Sequence, residues 1–128
     1  MAGRQAAQPD FMGILESQEA FDVIRDRDYV KCVVVDLHLS WCGPCEVMKP
    51  NFRTMFFGID EVEKRLEIYT MCSEFITDKA ILDHIGEQTW KPKFIIIAEG
   101  EIKGIIEGAD YTRLYDLVDK HIPSLDQD

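Results

Sequence analysis

Two cysteines separated by a glycine and a proline, Cys42-Gly43-Pro44-Cys45, are the residues of this chain best equipped to do chemistry. Gly43 and Pro44 hold a tight turn that keeps the two sulfurs within bonding reach. The segment follows an apolar, mostly β-branched run, Cys32-Val33-Val34-Val35, and precedes Met48, Phe52, Met55, Phe56 and Ile59 at helical spacing. At a strand-to-helix junction the first sulfur meets a helix N-terminus. The unpaired N–H groups and the positive dipole end there stabilise a thiolate. Cys42 is then the exposed nucleophile with a lowered pKa, and Cys45 the more buried thiol that attacks a mixed disulfide on Cys42. The competing reading is half of a zinc site, which needs a second close ligand pair. Cys32 and Cys72 have no His or Cys neighbour to make one, so no metal is expected.

Asp36 interrupts the buried run five residues before Trp41. A buried carboxyl is costly and tends to hold its proton near neutral pH. Behind a dithiol it can accept the proton of Cys45 during exchange; the plainer alternative is a hydrogen-bonded core Asp. Pro92, in Lys91-Pro92-Lys93, precedes the apolar run Phe94–Ile97. A cis bond there would press the proline against the sulfurs, although most such bonds are trans.

The elements that must position these residues can be read from periodicity and punctuation. Residues 1–10 form a loose polar arm, 11–123 a single domain and 124–128 a short acidic tail. Phe11–Leu15 reads as an edge strand. Ser17 caps a helix whose Phe21 and Ile24 face the core. Val30–Leu39 is the strongest strand. Pro50 should kink the helix after the dithiol. Leu66–Met71 alternates as a strand, Thr77-Asp78 caps a helix that Gly86 stops, and Phe94–Ala98 turns through Glu99-Gly100 into Glu101–Ile106. Tyr111, Leu114, Tyr115, Val118 and Ile122 make the stripe of a last helix, stopped by Pro123. The order β-α-β-α-β-α-β-β-α predicts an α/β fold, a three-layer α/β/α sandwich with a mixed central sheet.

Composition narrows the function classes. The 128 residues carry a net charge of -10, against nucleic acid or an anionic membrane as partner. There is no apolar signal core near Met1 and no stretch that would span a bilayer. A reducing, cytoplasmic compartment is expected, where cysteines serve redox or metal chemistry rather than staples. Cys32 reads as a buried core thiol, and Cys72 as a strand-end thiol that can pair with a partner's. His38 reads as a packed or edge residue rather than a base, His84 and His121 as residues near helix C-termini, and Phe57 as the exposed member of its aromatic group.

Trp41-Cys42-Gly43-Pro44-Cys45, with Asp36, Pro50, Pro92 and Gly108, resembles the thioredoxin family over residues 11–122. The resemblance implies a thioredoxin fold and reversible thiol–disulfide exchange with protein substrates through a Cys42–Cys45 redox disulfide, with no cofactor. It implies a cis-proline at Pro92. It also implies a groove for an extended substrate segment, formed by Trp41, Gly43, Pro44, Lys91, Pro92 and Gly108. Departures from the family pattern are Lys91 and Lys93 around Pro92, Glu46 after the second cysteine, Thr70 where bacterial members carry a lysine facing the buried Asp, and a longer tract from Phe56 to Leu66. Asp36-Leu37-His38-Leu39-Ser40-Trp41 and Glu46–Phe52, with the acidic turn Ala98–Ile102, are most similar to the thioredoxin-like light chains of ciliary outer-arm dynein. That similarity implies a dynein heavy chain or complex as partner, in a cilium or flagellum axoneme. The alternative is a free cytosolic protein-disulfide reductase, recycled by its own reductase and acting on several substrates.

Overall fold

The computed structural model describes residues 11–39, 47–86 and 91–124. Five strands form one sheet in the order β1-β3-β2-β4-β5: β1 (Met12–Leu15), β2 (Cys32–His38), β3 (Leu66–Cys72), β4 (Lys93–Ala98) and β5 (Glu101–Glu107). β3 runs parallel to both β1 and β2, whereas β4 is antiparallel to β2 and β5. The sheet is therefore mixed, as expected from helical crossovers followed by a hairpin.

Strand alternation splits the core into two layers. Cys32, Val34, Leu66, Ile68, Phe94, Ile96 and Ile106 pack with α2 (Lys49–Gly58) and α4 (Tyr111–His121) through Phe52, Met55, Leu114 and Val118. Val33, Val35, Leu37, Met71, Ile95 and Ile97 pack with α1 (Gln18–Ile24) and α3 (Lys79–Ile85) through Phe21, Ile24, Ile81 and Ile85. β2, from Cys32 to Leu37, is buried on both faces, which explains its unbroken apolar character. Burying a side chain such as Phe52 or Phe94 contributes roughly 1.5–3 kcal/mol.

The local signals behave as their chemistry requires. Ser17 Oγ accepts from the Ala20 N–H at 3.0 Å and opens α1. Asp78 accepts from the N–H groups of Ala80 and Ile81 and opens α3, which Gly86 ends at φ +81°. Asp110 accepts from the Arg113 N–H and opens α4. Glu99 and Gly100 both have positive φ, the signature of a two-residue hairpin turn. Pro50 departs from expectation. α2 begins at Lys49, so Pro50 lies in its first turn, where the missing N–H leaves no bond unmade, and it opens this helix rather than kinking it.

Candidate functional site

β2 delivers the chain to the dithiol. It runs through the middle of the sheet, ends at His38, and α2 begins at Lys49, so the cysteine motif lies on the connection between the central strand and a core helix. Trp41, Cys42, Gly43, Pro44, Cys45 and Glu46 themselves fall outside the described residues, as do the arm 1–10 and the tail 125–128.

Asp36 is fully buried, two residues before the end of β2. It alternates with Val34 and so points toward the α2 and α4 layer. Its register partners are Thr70 on β3 and Phe94 on β4. Thr70, also buried, donates its hydroxyl to the Asp36 carbonyl oxygen at 3.4 Å. The position facing Asp36 thus holds a short neutral side chain, where bacterial members of the resembled family hold a lysine.

Pro92 and Gly108 come together at the same end of the sheet. The Gly108 N–H donates to the Pro92 carbonyl at 2.8 Å, just beyond the last pair of the hairpin, Lys93 and Glu107. Gly108 has φ +90°, and a Cβ there would meet open space, so the backbone conformation rather than crowding calls for glycine. The cis bond implied for Pro92 is not found. No peptide bond among the described residues is cis, and both Lys91 and Pro92 are described. Trans is the lower-energy isomer of such a bond by about 0.5–1 kcal/mol.

The two lysines beside Pro92 have different fates. Lys91 is exposed at the expected groove, whereas Lys93 is buried and donates its ammonium to the Ile85 carbonyl at 2.8 Å. Lys93 therefore ties the start of β4 to the C-terminus of α3, where a cation suits the exposed carbonyls. Sequence reasoning missed this role; the available signal was a lone lysine opening an otherwise buried strand.

The remaining cysteines separate clearly. Cys32 is fully buried, and burial pushes its thiol up to about 12, as befits an inert core residue. Cys72 is half-buried at the end of β3, in register with His38, and its thiol donates to Glu74 at 3.7 Å. His38 places Nδ1 3.1 Å from the Leu39 carbonyl, a packed strand-end residue. Far from this end, Glu67 accepts from Tyr29, Tyr69 and Lys31. Burial works to raise its pKa, but these three partners together hold it below the usual carboxylate value. Among the described residues no group of His, Cys, Asp or Glu could hold a metal ion, and no helix is long and apolar enough to cross a membrane.

Asp36, Pro92 and Gly108, singled out from sequence, thus gather at the end of the sheet from which β2 enters the dithiol segment. Comparison with known proteins gives this arrangement a context. No family model matches the chain. It is 30% identical over 121 residues to thioredoxin H2-1 of Oryza sativa subsp. japonica, covering 88% of this chain and 78% of that protein. The chain belongs to the thioredoxin family. Its fold agrees: thioredoxin NaTrxh from Nicotiana alata superposes with a TM-score of 0.67 over 92% of this chain and 98% of that one, at 20% identity. The similarity extends to the 16 kDa light chain of the flagellar outer-arm dynein of Chlamydomonas reinhardtii, 34% identical over 80 residues. That match covers 60% of this chain and about half, 48%, of the dynein protein.

Proposed function

We propose that this thioredoxin-family chain is a thiol–disulfide oxidoreductase module serving as a redox-active light chain of an axonemal outer-arm dynein. The observation that carries the chemistry is the unbroken Trp41-Cys42-Gly43-Pro44-Cys45 motif on the β2–α2 connection, with Asp36 fully buried just upstream. In this reading the Cys42 thiolate attacks one sulfur of a substrate disulfide. A mixed disulfide forms and the first substrate thiolate leaves. Cys45 then loses its proton toward Asp36 and attacks the Cys42 sulfur. The Cys42–Cys45 disulfide forms and the second substrate thiolate leaves. Two electrons pass from the dithiol to the substrate, and a reductase must return them. No cofactor takes part.

The dynein assignment is supported by the similarity to the flagellar light chain and by the altered surroundings of the dithiol. Glu46 places a carboxylate next to the motif, which disfavours a thiolate, and Lys91 stands where the substrate groove is expected. Both changes suit one dedicated partner better than many substrates. The rice thioredoxin, matched over a longer stretch, favours the second reading, a free protein-disulfide reductase.

A Cys45→Ser variant separates the two. It retains the attacking sulfur but lacks the resolving one, so it holds its target as a mixed disulfide. Mass spectrometry of species trapped from axonemal extract should return a dynein heavy chain or its close associates. Recovery of many unrelated soluble proteins, together with rapid insulin reduction by the wild type and a reductase, would establish the free enzyme instead.

A further inference from the structure

The end of the sheet away from the dithiol carries a feature that the redox reading does not use. A cleft of about 820 Å³ opens between the loop before β2, the 3-10 turn Val62–Lys64 before β3, the β4–β5 turn and the end of α4. Arg27, Lys64, Arg65 and Lys120 line it, with His121 beside them, against only Glu61 and Glu99. This is a cationic hollow in a chain of net charge -10.

The two carboxylates are already engaged. Glu61 pairs with Lys64 at 2.8 Å, and Glu99 pairs with Lys103 at 3.5 Å. Arg65 is held by the carbonyls of Pro123 and Asp60, at 2.9 and 3.1 Å. Arg27 and Lys120 are exposed and have no ion-pair partner among the described residues. Charge of one sign that is left unpaired around a concavity forms a local field for the opposite sign. At physiological salt charges are screened beyond about 8 Å, so distant acidic surface counts for little, and the carboxylates that weaken the field are the sequence neighbours Asp26, Asp28 and Asp119.

The walls are fixed in advance. A Cβ on Gly100 would lie 2.7 Å from Arg27 Cα, so the hairpin turn is seated directly on the backbone of Arg27. The backbone on this side is thus set before binding, and the exposed side chains of Arg27 and Lys120 are what a ligand must order. Val30, 76% exposed, and the half-buried Ile122 and Pro123 add apolar surface to the same cleft. The lining thus suits a chain that alternates carboxylates with aliphatic side chains. β2 separates this cleft from the dithiol connection by its whole length, about 20 Å at the usual strand rise.

We propose that this cleft is a docking site for an extended acidic segment of a partner protein, independent of the dithiol and able to be filled while the dithiol reacts. An attachment of this kind lets a redox domain stay on its assembly through each cycle of exchange.

The test is fluorescence anisotropy with a short labelled copeptide of Glu and Leu, a matching copeptide of Lys and Leu, and a labelled single-stranded oligonucleotide. The Glu/Leu peptide should bind the wild type and the Lys/Leu peptide should not. Binding should weaken steadily with added salt, and by about tenfold or more in Arg27→Glu/Lys120→Glu. Iodoacetamide should alkylate the dithiol at the same rate with the peptide bound. Equal binding by the charge-reversed variant, no binding of the acidic peptide at low salt, tighter binding of the oligonucleotide, or protection of the dithiol by the peptide would each overturn the proposal. The salt titration of the wild type reads the same charges without any substitution.

Discussion

At the scale of single residues, the four cysteines and one buried carboxylate are expected to do different kinds of work. Asp36→Asn keeps the shape of the side chain and removes the proton acceptor. The first attack by Cys42 should be nearly unchanged and the resolving step slower by about 100-fold, so that the mixed disulfide accumulates in stopped-flow traces. Equal slowing of both steps would remove Asp36 from the proton path. Cys32 should behave oppositely, with no reactivity but a measurable contribution to stability. Its folded-state pKa of about 12 lies above the usual value, and the unfolded thiol titrates near about 8.5. The unfolded chain therefore loses that proton first. The stabilisation is intact below about pH 8.5 and is lost as pH rises toward about 12. Cys32→Ala should be less stable at neutral pH, and its urea midpoint should decline less steeply over that alkaline window. A decline as steep as the wild type's would show that the thiol does not couple to folding.

At the scale of elements, most of what positions the site was legible because it rests on local chemistry. Ser17 and Asp78, read as caps from the sequence, satisfy the first N–H groups of α1 and α3, and the structure adds Asp110 as the cap of α4. Thr70 was set against Asp36 by the family resemblance, and the β2–β3 register bears that pairing out; alternation alone gives the face and not the partner. Lys93 was not legible in the same way. Whether the first residue of a strand faces inward depends on pairing with β2 and β5 and on where α3 ends. The isomer of the Lys91–Pro92 bond rests on an energy gap of about 1 kcal/mol or less, which tertiary context easily reverses. Lys93→Met keeps the aliphatic stem and removes the bond to the Ile85 carbonyl. It should cost about 1–2 kcal/mol and speed hydrogen exchange in α3 more than in α1. Uniform exchange rates would show that Lys93 acts only on global stability. Gly108→Ala would force a Cβ into φ +90° at a cost of about 1–2 kcal/mol. Because the Gly108 N–H holds Pro92, this substitution should also raise the KM for a disulfide substrate more than it lowers kcat.

At the scale of the whole molecule, the two ends of one sheet differ in chemistry. The end that follows the C-termini of β2 and β3 gathers Asp36, Pro92 and Gly108 beside the dithiol connection, whereas the opposite end gathers cations. The first end was readable because Asp36 interrupts a buried apolar run and because the family resemblance pointed to Pro92 and Gly108. The second was not, because Arg27, Lys64, Arg65 and Lys120 are scattered along the chain and meet only through the fold. The net charge of -10 hid them further, since an average says nothing of distribution. Family membership accounts for the sheet and for the strand and helix on either side of the dithiol segment. The most direct measurement is a redox titration of the native protein in dithiothreitol buffers, read by differential alkylation and peptide mass spectrometry. The expected result is one reversible two-electron transition confined to Cys42 and Cys45, with Cys32 reduced and unalkylated in the folded state throughout. A dithiol that never forms the Cys42–Cys45 disulfide, or a transition that instead engages Cys72, would contradict it.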